Sequence, residues 1–271
     1  ILYLKDNKVD KDFVTFNTIT DLYPKYSKIS NNVFQYGLIP ENEIEELMKF
    51  LTFQGHNNIL LIAQNNPSYL RELKAAEHTL KSNSSNIILE KHIINKSTNT
   101  LKFFEEIFKI NLIKNEFIEK DQIIKNVLPE YYTKNEFKYE FISKYNAVII
   151  LGEQDFLAKI IPSYKYFIKE QLPIFIRNNN INIKNIDKQI KVHTVDAINT
   201  RNKSDDKDIK RYSKNNKSLE HIFWLGIDAT NIAEQISWFK HYGKLGLQLN
   251  TGHIKLTDDN VLYRKLNWEV Y

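Results

Sequence analysis

Any chemistry this chain performs must come from histidines, carboxylates, hydroxyls and amides, because it has no cysteine. That excludes disulfides, thiolate metal sites and cysteine nucleophiles. The histidines (His56, His78, His92, His193, His221, His241 and His253) are scattered, and no two share a metal-ligand spacing. Glu45-Glu46 and Glu105-Glu106 are tandem carboxylates, but both lie in helical patterns, where such a pair is ordinarily a solvated face. HExxH, GxSxG and P-loop patterns are absent. Gly252 has a glycine partner only at Gly246, so there is no dinucleotide fingerprint, and seven glycines in all make a phosphate-cradling loop hard to build. No catalytic residue, metal ligand or cofactor is expected.

Polar loops at the ends of apolar runs remain. Asn17, Thr18 and Thr20 form one, Gln64, Asn65 and Asn66 with Tyr69 a second, and Gly152, Glu153 and Gln154 a third. Short hydroxyl and amide side chains grip a small polar ligand without formal charge, and a tyrosine adds an apolar wall with a hydrogen-bonding tip. The expected ligand-binding set is Asn17, Thr18, Thr20, Asn65, Asn66, Tyr69, Gly152, Glu153 and Gln154. The alternative is that these loops only connect and cap.

The elements that must position them centre on residues 31–69. Pro40 sets the first turn of a helix whose positive end carries Glu41, Glu43, Glu45 and Glu46. Ile44, Leu47, Met48 and Leu51 form its apolar stripe, and Gly55 closes it as a left-handed cap. Ile59 to Ala63 is an unbroken apolar run, as in a strand buried on both faces of a parallel sheet. It ends at Gln64, and Pro67 starts the next helix, with Leu70, Leu73, Ala76 and Leu80 expected inside. Ala147 to Leu151, Gly152 to Asp155 and Phe156 to Tyr166 repeat the strand–turn–helix order, with Pro162 expected to kink or interrupt the helix.

Elsewhere, strands are expected at Phe13–Phe16, Val33–Tyr36, from Ile87 into His92, at Ile174–Ile176 and at Val192–Val195. Helices are expected at Leu101–Ile110, Thr133–Lys144, Asp208–Lys214 and Ser218–Phe239, and residues 111–132 are ambiguous. Thr251 to Tyr271 reads as a terminal hairpin turning at Asp258-Asp259-Asn260. Alternating strands and helices with a late hairpin indicate an α/β fold.

The totals agree with a globular protein: 271 residues, 42% hydrophobic and 26% charged. The excess of 38 basic over 33 acidic side chains is spread along the chain, with no basic block interleaved with aromatics, so nucleic acid is not an expected partner. No run has the length of a transmembrane helix. Residue 1 is Ile and the only methionine is Met48, so the natural start is expected upstream, with any export signal or lipid-anchoring cysteine.

Three segments taken together, VFQYGLIPENEIEEL, LLIAQNNPSYLRELKAAEHTLK and NAVIILGEQDFLAKIIPSY, resemble the type I periplasmic solute-binding fold. Within it, the likeness is to the penicillin-binding-protein activator branch, related to branched-chain amino-acid receptors of ABC transporters. Phe16-Asn17-Thr18 resembles that branch's first binding turn, and Ile227-Asp228-Ala229 its Tyr-Asp-Ala at the start of a late helix. Gly252-His253-Ile254-Lys255-Leu256 with Tyr263-Arg264-Lys265-Leu266 resembles its closing hairpin. Leu70 stands where the family has glycine, Asn17 where it has serine, and the family's opening strand is absent.

The resemblance implies two three-layer α/β lobes, the first partial: residues 1–36 with 219–243, and 37–218 with 244–271. It implies a non-enzymatic cell-envelope protein in the periplasm, lipid-anchored through an upstream segment, that regulates cell-wall synthesis by contacting a peptidoglycan synthase or other envelope protein. The alternative is an ABC-transporter receptor closing on an amino acid or other small polar solute.

Overall fold

Strand β3 (Asn58–Gln64) is the axis of the molecule, and Ile59 to Ala63 along it are fully buried. Because strand side chains alternate, this one apolar run serves two layers. Leu60 and Ile62 join an apolar cluster on one face, and Ile59, Leu61 and Ala63 join another on the opposite face. Burying each large aliphatic side chain contributes about 1.5–3 kcal/mol.

A computed structural model of the chain describes residues 13–16, 32–37, 40–82, 86–129, 132, 144–168, 172–177, 192–196, 217–258, 260–265 and 267–270. Strands β1 (Phe13–Phe16) and β2 (Val33–Tyr36) pair in parallel. The main sheet flanks β3 with β4 (Ile88–Ile94) and β5 (Ala147–Leu151), then continues through β6 (Ile174–Arg177) and β7 (Val192–Asp196), all parallel. Helices α1 (Pro40–Phe53) and α2 (Pro67–Ser82) cover one face through Ile44, Leu47, Met48, Leu51, Leu73 and Ala76. Helices α3 (Thr100–Ile107) and α5 (Gln154–Phe167) cover the other through Phe104, Phe156, Ile160 and Tyr164. Between them in sequence, α4 (Ile110–Val127) has no buried residue. Gly55 ends α1 at φ 79°, and the His56 N–H donates back to the Leu51 carbonyl at 3.0 Å, closing the helix.

A third cluster joins Phe34 and Tyr36 of β2 to Leu225 and Ile232 of α6 (Lys217–Glu234), Phe239 of α7 (Ile236–Tyr242), Ile254 of β9 (Gly252–Leu256) and Leu262 of β10 (Leu262–Lys265). β8 (Leu247–Leu249) and β10 flank β9 in an antiparallel sheet.

Four sequence expectations change. Pro162 does not interrupt α5, because Ile160, Ile161 and Tyr164 on either side of it are held in the core. The late helix divides at Gln235 into α6 and α7. The terminal hairpin comprises only β9 and β10; β11 (Asn267–Val270) leaves it to pair antiparallel with β7. The ambiguous stretch after residue 110 is largely the helix α4. The helices expected at Thr133–Lys144 and Asp208–Lys214 fall, apart from Lys144, outside the described residues.

Candidate functional site

Neighbouring parallel strands end together, so sheet order β4-β3-β5 sets three polar loops side by side at one edge. In open α/β sheets this carboxyl edge is where ligands bind. The loops are braced across strands. The buried Gln64 at the end of β3 accepts the Glu153 N–H on its Oε1 at 2.9 Å, tying it to the loop after β5. On the other side the Asn65 N–H donates to the Ile94 carbonyl at 2.8 Å, and Asn65 Nδ2 to Asn95 Oδ1 at 2.9 Å.

Two of the three helices following these loops are started by an amide, whereas α5 has Glu153 at its N-cap with no side-chain capping bond. Asn66 Oδ1 accepts the Ser68 N–H at 3.0 Å at the head of α2. Asn99 Oδ1 accepts from Leu101 N at 3.1 Å and Lys102 N at 3.2 Å, capping α3. Lys96 reaches from the loop after β4 to the far loop, with Nζ 3.2 Å from Asp155 Oδ2 and 3.5 Å from Glu153 Oε2. The hydrogen bond to Asp155, then its charge, hold the ammonium above its ordinary pKa. The pair is exposed, so water and salt screen it. The edge therefore offers amide donors and acceptors with one cation and two carboxylates, a set suited to hydrogen-bonding a polar molecule. Among the described residues no group of three or more His, Cys, Asp or Glu could hold a metal.

The expected site residues separate on this geometry. Asn65 and Asn66 stand at the edge in one loop, with Glu153 and Gln154 in the other, both exposed. Tyr69 is only 6% exposed and belongs to the apolar cluster of α1, α2, β3 and β5. It takes the inward position expected of Leu70, because Tyr69, Leu73, Ala76 and Leu80 form one stripe on α2. Gly152 is buried, and a Cβ there would meet Phe156 Cδ1 at 2.2 Å, so packing of α5 requires the glycine. Asn17, Thr18 and Thr20 lie outside the described residues. Sequence reasoning missed Asn95, Lys96, Asn99 and Asp155. The polar run Asn95-Lys96-Ser97-Thr98-Asn99 was the available signal.

A second polar constellation sits where β2, α6 and the turn before β9 meet. Asp228 is fully buried, and its carboxylate accepts from Thr251 N at 2.7 Å, Thr251 Oγ1 at 2.6 Å, Asn250 Nδ2 at 2.7 Å and Asn250 N at 3.0 Å. The Tyr36 hydroxyl approaches Asp228 at 3.4 Å and bonds Thr251 Oγ1 at 2.6 Å. Burial, and then the Asp228 charge, push the Tyr36 pKa far up, so the phenol stays protonated.

These features define an α/β fold that matches type I periplasmic-binding-protein-like folds. The chain is similar to full-length LpoA from Haemophilus influenzae, with TM-score 0.65 and 14% identity, over 95% of this chain and 41% of that one. It is similar to the LpoA C-domain of the same organism, described as a regulator of PBP1A, with TM-score 0.61 and 16% identity, over 88% of this chain and 66% of that one. A protein from Chromobacterium violaceum, assigned as a branched-chain amino acid ABC transporter, gives TM-score 0.59 and 14% identity, over 95% of this chain and 72% of that one. The chain thus spans less than half the length of full-length LpoA. No protein-family model and no curated protein matches the sequence. Among the described residues no helix is long and apolar enough to cross a membrane.

Proposed function

We propose that the chain is part of a non-enzymatic cell-envelope protein that uses the type I scaffold for protein contacts and regulates cell-wall synthesis in the manner of a penicillin-binding-protein activator. One observation carries this reading: the likeness to the LpoA C-domain, a regulator of PBP1A, over 88% of the chain. Burial of Tyr69, which removes an aromatic wall from the carboxyl edge, supports it. The partner is a peptidoglycan synthase, and the location is the periplasm, with anchoring upstream of Ile1. The two lobes, 1–36 with 219–243 and 37–218 with 244–271, belong to the same reading. Pull-down from bacterial envelope extracts with the immobilised chain should recover a membrane-bound peptidoglycan synthase. Recovery of transporter permease subunits alone would overturn it.

A second reading, a solute receptor for an amino acid or similar molecule, is favoured by the three cross-braced polar loops at one sheet edge. On it, Asn65, Asn66, Glu153 and Gln154 face the solute from one lobe and Asn17, Thr18 and Thr20 from the other, and the ligand shifts the protein toward a closed state. A thermal-shift screen of amino acids separates the readings. A true ligand at a hundred times its Kd stabilises the protein by about 2.7 kcal/mol.

A further inference from the structure

Helix α1 carries two stripes. The first, Ile44, Leu47, Met48 and Leu51, is buried on the sheet. The second is Glu46, Lys49, Phe50 and Phe53, also spaced i, i+3, i+4 and i+7, and it faces the β9–β10 hairpin across a groove of about 530 Å³. The hairpin supplies Lys255, Tyr263 and Lys265 as the opposite wall. The strand register explains the choice: Lys255 pairs with Tyr263, and Lys265 with His253, so all four lie on one face while Ile254 points into the core.

Charge and exposure in the groove are unbalanced. Its one carboxylate, Glu46, is already engaged: Oε1 accepts the Tyr263 hydroxyl at 2.5 Å and Lys49 Nζ at 3.0 Å. Lys49 also lies 4.7 Å from the centroid of the Tyr263 ring. Lys255 and Lys265 are exposed and have no carboxylate partner among the described residues. Phe53 is 86% exposed at the end of the helical stripe. Three lysines against one glutamate leave a positive groove with an aromatic floor and rim.

We propose that this groove is a docking site for an extended acidic peptide segment of a partner protein. The spacing selects the occupant. Diagonal neighbours on one face of an antiparallel pair, as Lys255 and Lys265 are, stand about 7–8 Å apart. Carboxylates at i and i+2 of an extended strand stand about 6.6 Å apart on one face. A segment with Asp or Glu at i and i+2, and a large apolar residue on the same face, meets both lysines while its apolar side chain covers Phe50 and Phe53. Concavity favours such a strand over a flat anionic bilayer, which the walls of α1 and the hairpin would hold off. The site lies apart from the loops at the carboxyl edge of the main sheet and does not rest on either functional reading above.

The test is selection from a random peptide display library on the whole chain, with Lys255→Glu/Lys265→Glu as the counter-target. Enriched peptides should carry acids at i and i+2 and an aromatic or leucine on the same face. A synthetic copy of the best one should bind about tenfold or more weakly to the double variant, bind more weakly to Phe53→Ala, and lose affinity as salt is raised. These side chains are exposed, so unchanged melting temperatures are expected, and Lys255→Gln/Lys265→Gln replaces the double variant if its fold is perturbed. Enrichment without an acidic bias, or equal binding to the variants, overturns the proposal. So does lysine-dependent binding to phosphatidylglycerol vesicles with no peptide selected, which assigns the groove to a lipid surface.

Discussion

The Asp228 constellation and the Lys96 bridge are both polar networks that join distant parts of the chain, yet their surroundings differ completely. Asp228 is fully buried and accepts from backbone and side-chain donors of Asn250 and Thr251. Lys96, Glu153 and Asp155 meet in solvent, each at least half exposed or close to it. Removing one partner of a buried charge strands its donors in a low-dielectric core, whereas water replaces a lost partner at the surface. The first network is therefore architecture, and the second is free to serve recognition.

The largest effect should come from Asp228→Ala. It leaves the Thr251 N–H and hydroxyl without their acceptor in the core, at about 1–3 kcal/mol for each stranded donor, read from the denaturation midpoint. A loss below about 1 kcal/mol would erase the distinction between the networks. Tyr69→Ala sharpens it from the other side: although Tyr69 follows a polar loop, its burial predicts a loss of about 3 kcal/mol, as for a large aromatic truncated in a core. A stable variant that loses only ligand binding would restore Tyr69 to the site.

Glu90 is intermediate. Partial burial opposes its ionisation, but Lys144 Nζ at 2.5 Å and His92 Nε2 at 3.1 Å outweigh that and hold its pKa near about 2, below the ordinary 4.5. A depressed carboxyl pKa contributes stability that is present above about 4.5 and is lost as pH falls toward 2. Exposure limits this to about 1 kcal/mol or less. Glu90→Gln should flatten that part of the stability–pH curve, and an unchanged slope would show that Lys144 is not holding the carboxylate. The smallest effect belongs to Lys96→Ala, which should leave the denaturation midpoint where it is, because its ion pairs are exposed and screened by water.

How much of this was legible in the sequence depended on burial. β3 and β5 are apolar at every interior position because both faces are covered, so length and flanking Pro and Gly sufficed to find them. Pro40 and Gly55 likewise marked the bounds of α1 through local sterics. β4 is different: it is a sheet edge, with Ile88 68% and Ile93 49% exposed among Glu90, Lys91 and His92. Its mixed pattern hid where the strand stopped, and with it the loop that holds Asn95, Lys96 and Asn99. Tyr69 carries two signals at once: it follows a polar loop and Pro67, yet it lies four residues before Leu73, on the inward stripe of α2. The Asp228 constellation could be matched only as the fragment Ile227-Asp228-Ala229, since its partners lie far away in sequence.

That separation has a consequence for timing. Tyr36 and Thr251 hydrogen-bond across 215 residues, and Glu46 meets Tyr263 across 217. At about 5–20 residues per second, a ribosome takes on the order of 10–40 s to make the second partner after the first. For that interval β2 and the outer stripe of α1 exist without their final neighbours, and whatever guards the nascent chain must cover Phe34 and Tyr36 until the last strands arrive.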